Sequence, residues 1–446
     1  MHYLFAQTSI VSLQAYDSLA GKILTTALGQ NQAINVLQEL CAIGPRLSGS
    51  PQADRAVEWA LEKMRALGFQ NVHTEPVEIP HWVRGLKEEG FYYIDGSKKK
   101  NRIHITALGG SIRTSKEGLK AEIVEVQSWE ELAALGDSVK GKIVFLNRPM
   151  DRSLISSGRA YGRAVDQRSK GAIEAANCGA IGVLVRSMTT RLDDMPHTGQ
   201  MNYADSVARI PAASISTNDA EVLSRFIHEG KKISVSLKLS CDTLPAVESA
   251  NVMGEIVGSE KPDEIVLIGA HLDSWDKGQG AHDDGAGCIH AIESLRLIKE
   301  LGLRPKRTIR AVLFMNEENG LQGGLNYASR ECRGERHIVA IESDAGGFSP
   351  RGFSISDSSA FAKLAKYASV FSSIGADNFR IGGSGSDIHP LVETGVPGVG
   401  LIVDGQKYFD YHHSDNDTID KVHERELALG AAVIAIISFI IAQEGL

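Results

Sequence analysis

Five short segments of the 446-residue chain carry imidazole and carboxylate side chains at spacings that suit metal binding. They are His271-Leu272-Asp273, Asn316-Glu317-Glu318, Glu342-Ser343-Asp344, the glycine-flanked Ala281-His282-Asp283-Asp284, and Tyr411-His412-His413-Ser414. Nitrogen and oxygen donors without thiolate suit zinc held with one position open to water, and no residue rules out manganese or cobalt. One carboxylate bridging two ions, with a further carboxylate and an imidazole on each, needs five groups, and these segments supply that number; ions so bridged stand ~3.5–4 Å apart. The chemistry implied is metal-assisted hydrolysis. Asp273, two residues beyond His271, is placed to accept a hydrogen bond from the imidazole nitrogen that faces away from a metal. Glu317 and Glu318 diverge as neighbours in a turn, so one can ligate while the other serves as general base.

Taken singly, each signal is weak. A histidine at a strand end is more often structural, and Glu-Glu or Asp-Asp doublets on loops are usually solvated. His282, His290, His337, His389 and His412 each read as structural on their own. The conjunction in one region is what favours a site.

The elements that must position these groups strengthen the case. Apolar runs at 265–270, 308–315, 337–341 and 398–403 read as strands, and 287–301 has helical periodicity. This alternation predicts an α/β fold, a mostly parallel central sheet flanked by helices. Three of these strands run directly into metal-capable residues, and in open α/β sheets ligands bind outside the carboxyl ends of the strands. Earlier, 32–67 reads as helix, glycine-rich turn, helix, with strands following near 72–79 and 104–108. From 111 the texture changes to short strands at 121–126, 142–146, 182–185, 212–215 and 233–239, with one clear helix at 171–177; 240–249 reads as a return linker. The expected organisation is therefore a domain made of 1–110 and 241–446, interrupted by a strand-rich module over 111–240.

Composition sets the outer limits. At 43% apolar and 23% charged residues, with a net charge of −8 and no basic block, the chain has the balance of a globular protein and no electrostatic grip on nucleic acid or anionic membrane. The five cysteines are scattered without Cys-x-x-Cys spacing, which argues against a thiolate site, and their odd count argues against a full disulfide framework while leaving one bridge open. Residues 1–9 lack the basic start of a signal peptide, although Leu4-Phe5-Ala6-Gln7 suits the tail of one. The apolar stretch 427–442 falls short of the ~20 residues a bilayer needs and reads as a buried core helix.

With these residues in view the chain resembles the family of two-zinc aminopeptidases and glutamate carboxypeptidases, over most of its length. The likeness is carried by Gly44-Pro45-Arg46-Leu47-Ser48-Gly49-Ser50, by Ile79-Pro80-His81-Trp82, and above all by Gly269-Ala270-His271-Leu272-Asp273-Ser274-Trp275-Asp276. The resemblance implies two zinc ions per chain, one on His271 and Asp344, the other on Glu318 and His413, with Asp283 bridging. It implies Glu317 as the base that passes a proton to the leaving amine, and Asp273 as the residue orienting His271. His413 is chosen over His412 because His413, Ser414 and Asp417 fit the family's pattern. The Asp283-Asp284 peptide bond would be cis. Ser386 and Asp387, in Ser384-Gly385-Ser386-Asp387, would lie at the substrate, and the module, with Pro196-His197-Thr198-Gly199 and Ile210-Pro211-Ala212, would be a protease-associated domain over the cleft. Substrates would be dipeptides and short peptides with free ends; the rival is an aminopeptidase acting on longer peptides, and a metal-free receptor is disfavoured because every ligand position is intact. The family also implies a homodimer and a secreted or periplasmic location. Two departures stand out: His282 beside the bridging Asp283, where it offers another ligand, and His389 after the Ser-Asp pair.

Overall fold

The computed structural model describes residues 2–329 and 335–446, with side chains from residue 13 onward. Leu4-Phe5-Ala6-Gln7 and Cys332 therefore lie outside the described side chains. Cys41, Cys178, Cys241 and Cys288 are free thiols.

Two eight-stranded sheets organise the molecule. In the first, the strands lie in the order Gln70–Val83, Asp242–Ile256, Arg307–Phe314, Lys261–His271, Arg336–Glu342, Gly398–Val403, Pro350–Ile355 and Asn378–Ile381. The four central strands, from Arg307–Phe314 to Gly398–Val403, are parallel, and antiparallel pairings flank them on both sides. Four carboxyl ends thus open on one edge of the sheet.

The apolar run at 265–270 is explained by burial on both faces. Val266, Ile268 and Ala270 enter the larger core, beneath the helices Ala286–Glu300 and Glu424–Glu444. Ile265 and Leu267 enter a second core with Tyr327 and Leu391, from the helices Gln322–Ser329 and His389–Glu393. A fully buried side chain of this size contributes about 1.5–3 kcal/mol. The helix Glu424–Glu444 is long and apolar enough to cross a membrane, yet its apolar stretch is buried within the larger core, as the sequence implies.

The second sheet runs Asn101–Ile103, Glu88–Ile94, Ile233–Leu239, Leu119–Val126, Ile143–Leu146, Gly182–Arg186, Ala212–Ile215 and Ile105–Ala107. Its strands begin at Glu88, ahead of the change in sequence texture at 111. Two expectations are corrected. The supposed linker 240–249 belongs to the long strand Asp242–Ile256, which pairs with Gln70–Val83. Its mostly exposed first half, with Leu244, Pro245, Ala246 and Val247 in succession, lacks the apolar–polar alternation that marks a strand facing a core. The module also carries the helix Thr217–His228, capped by Ser216 accepting from the Asp219 N–H, and shorter helices beside the one at Gly171–Asn177. A helix over His2–Gln30, unrecognised in the sequence, packs on Glu424–Glu444.

Candidate metal centre

The parallel strand ends deliver their side chains to one buried place. His271 closes its strand and is fully buried, while Asp283 reaches in from the turn before Ala286–Glu300. Asp283 faces different partners through its two oxygens: Oδ1 lies 3.3 Å from His271 Nε2, and Oδ2 lies 3.3 Å from His413 Nε2. On the first side His271 Nε2 also stands 3.7 Å from Asp344 Oδ1. On the second, His413 Nε2 stands 2.9 Å from Glu318 Oε2. Donor atoms of His271, Asp283 and Asp344 converge within 4.8 Å, as do those of Asp283, His412 and His413.

Two observations test whether a metal fits. The buried Nε2 of His271, Oδ2 of Asp283 and Oδ1 of Asp344 have no hydrogen-bond partner, and an unsatisfied buried polar atom costs ~1–3 kcal/mol. The converging set is imidazole and carboxylate alone, a donor set that suits zinc. The residues fit the ion.

The charges interlock accordingly. Burial disfavours the charged form of His271, yet its contacts with Asp283 and Asp344 carry it well above the usual imidazole range. Burial likewise opposes charge on His413, but Glu318 and Asp283 lift it to about 10. Burial would raise Asp283, and His271 with His413 instead hold it well below its ordinary value. Burial and the carboxylates of Asp344 and Glu318, against the pull of His271, push Glu317 well above the usual glutamate range.

Surrounding groups hold these side chains in place. The His271 Nδ1 contact is with the Asp273 backbone carbonyl at 3.0 Å; the carboxylate, expected as partner, is 3.8 Å away. That carboxylate instead accepts the N–H groups of Asn316 at 2.7 Å and Glu317 at 3.1 Å, and the Ser48 hydroxyl at 2.8 Å, so it fixes the turn bearing both glutamates. Fully buried Arg46 donates to the carbonyls of Leu272, Gln279 and Gly280. Asp417 accepts the N–H groups of His282 and Asp283 at 2.7 and 3.1 Å, and burial pushes it up to about 7. Sequence reasoning assigned no such role to Arg46, Ser48 or Asp417; their only signal was membership of the quoted motifs. The Asp283-Asp284 bond is cis. His413 has φ 60°, a left-handed conformation rare outside glycine, and its carbonyl is held by the Thr198 N–H of the module at 2.8 Å.

The two departures lie outside the donor cluster. His282 packs with its ring nearly parallel to those of Phe348 and Tyr411, accepts the Gly347 N–H on Nδ1, and burial pushes it down to about 4. His389 is exposed on its helix beside Glu393. His412 stacks on His413 with ring centroids 3.4 Å apart, but its Nε2 is 3.8 Å from Asp283 Oδ2. A cleft of about 1090 Å³ opens beside the cluster, lined by Asp344, Tyr408, Ser384 and Gly385 and, from the module, Arg159. Ser386 and Asp387 are not in its lining, whereas Ser384 and Gly385 just before them are, and Asp387 is buried at 1% exposure.

Residues 251–437 match the model of peptidase family M28. Carboxypeptidase Q of Bos taurus is 39% identical over 444 residues, covering 99% of this chain and 89% of that protein. The chain belongs to peptidase family M28. As an M28 peptidase it is a zinc-dependent exopeptidase. The crystal structure of an M28 peptidase precursor from Shewanella amazonensis superposes with TM-score 0.92 at 38% identity, covering 97% of this chain and 98% of that one. The zinc aminopeptidase BSAP of Bacillus subtilis, 22% identical with TM-score 0.66 over 92% of this M28 chain and 95% of its own, shares the fold.

Proposed function

We propose that the chain is a two-zinc exopeptidase that hydrolyses dipeptides and short peptides with free termini, as the likeness to carboxypeptidase Q suggests. His271 and Asp344 would hold one zinc, Glu318 and His413 the other, with Asp283 shared. The observation that carries this reading is the division of Asp283, whose two oxygens face the two histidines separately at equal distance. Zinc bound there would supply Lewis acidity, acidifying a water and polarising the scissile carbonyl. Glu317, held by the Asp273 carboxylate through its own N–H, takes a proton from the attacking water and returns it to the leaving amine. Its elevated proton affinity suits a group that must both accept and release a proton. The module, read as a protease-associated domain, contributes Arg159 to the wall of the cleft.

The test is hydrolysis of a panel of free and end-blocked dipeptides and longer peptides, with and without a chelator, alongside zinc content. Two zincs per chain, loss of activity on chelation and loss on blocking either terminus are expected. The size of the cleft favours one rival, an aminopeptidase on longer peptides, which would tolerate a blocked carboxyl end. Glu317→Gln should keep its zinc and lower kcat by roughly 10²–10⁴-fold; near-normal turnover would remove Glu317 as the base.

A further inference from the structure

Glu342 belongs to none of the roles above, yet it ends the same strand that leads to Asp344. Its side chain is 1% exposed, and both carboxyl oxygens are engaged by a single loop. Oε1 accepts the Ser386 N–H at 2.8 Å and Oε2 the Ile388 N–H at 2.9 Å. Gly385, which lines the cleft together with Glu342, has φ +149°, and a Cβ there would stand 2.2 Å from Glu342 Cδ. From the other side the loop is pressed onto the neighbouring strand, where a Cβ on Gly400 would meet the Ser384 carbonyl oxygen at 2.6 Å. Residues 382–385 are therefore fixed between Glu342 and strand Gly398–Val403, and they line the cleft onto which Asp344 opens. The wall they form is glycine and serine, so its position is set by the main chain alone.

We propose that Glu342 is a positioning residue that sets the height of this wall above Asp344, so that peptide binding depends on it while the metal centre does not. The proposal rests on the reading of the cleft as the peptide site. A carboxylate is the group suited to the task, because it offers acceptors in both directions; glutamine would turn an NH₂ toward one of the two N–H donors. Aspartate, one methylene shorter, would reach neither well.

The experiment compares wild type with Glu342→Gln and Gly385→Ala in the full-length zinc enzyme. Three quantities are read: amide hydrogen exchange in the peptide covering 382–391, zinc content, and kcat and KM for a free dipeptide. Both variants should exchange faster in that peptide, keep full zinc, and raise KM about tenfold with kcat within about twofold. Gly385→Ala disturbs the same contact from the loop side, so the comparison survives if Glu342→Gln folds poorly. Unchanged exchange in 382–391, or zinc lost from Glu342→Gln, would overturn the role assigned to Glu342. Faster exchange with full zinc and unaltered KM would overturn the link between this wall and peptide binding. If wild type cleaves no peptide, the proposed function fails, and the exchange arm still decides whether Glu342 holds the loop.

Discussion

Two stacked imidazoles, His412 and His413, both come within 4 Å of the same Asp283 oxygen, and their surroundings separate them. His413 has the second carboxylate, Glu318, at 2.9 Å. His412 sits among Tyr161, Tyr408 and Phe409, and burial with the neighbouring His413 holds it well below the usual imidazole range. His413→Ala should therefore lose zinc, whereas His412→Phe, which preserves the ring packing, should retain it to within about tenfold in affinity, the scale of an outer contact. Chelator competition checks both, and equal losses would return the choice to open. Of the candidate donors, His271, Glu318 and Asp344 stood out in the sequence because they follow apolar strand runs, whereas His413 was preferred to His412 only through the family resemblance. The groups that aim these donors did not stand out. Arg46 lies more than two hundred positions from the carbonyls it braces, and nothing local marks Asp273 as a partner of main-chain N–H groups.

Helices and strands with one clear period were equally legible. Gly398–Val403 and the helix Gly171–Asn177 were placed by pattern alone, and the strand Lys261–His271 was recognised from its apolar half. The strand Asp242–Ile256 escaped because much of it is stabilised by pairing with a strand far away in sequence, which leaves no local signature. A similar long-range contact joins the sheets: Trp275, buried in the strand-end motif, packs against Gly109, where a Cβ would stand 1.9 Å from its ring. The backbone N–H of Trp275 also donates to Glu318 Oε1 at 3.3 Å. Gly109→Ala should cost about 1–3 kcal/mol through overpacking and weaken zinc retention through Glu318. Urea unfolding and chelator competition test this, and an unchanged midpoint would mean that the ring moves aside freely.

Across the whole molecule, buried neutral histidines tie stability to pH. His290 is fully buried between Ser343, 2.8 Å from its Nδ1, and Gly430, where a Cβ would touch its ring; His337 is buried beside Tyr327. Burial pushes both down to about 4. Since the folded state resists protons that the unfolded state accepts below about 6.5, their contribution is complete above that pH. It is withdrawn as pH falls toward 4, by on the order of 3 kcal/mol each at most. Denaturant midpoints between pH 7.5 and 4.5 should therefore drop less steeply in His290→Gln than in wild type; parallel slopes would acquit His290.

The edge ribbon of the first sheet pairs Val83 with Asp242, so the chain leaves for the second sheet and returns at adjacent points. Closing an unstructured loop of that length would cost on the order of 4–5 kcal/mol in chain entropy. The folded module meets that cost within its own structure and presents its two ends side by side. Pairing between residues remote in sequence thereby becomes, in entropic terms, nearly as local as a hairpin.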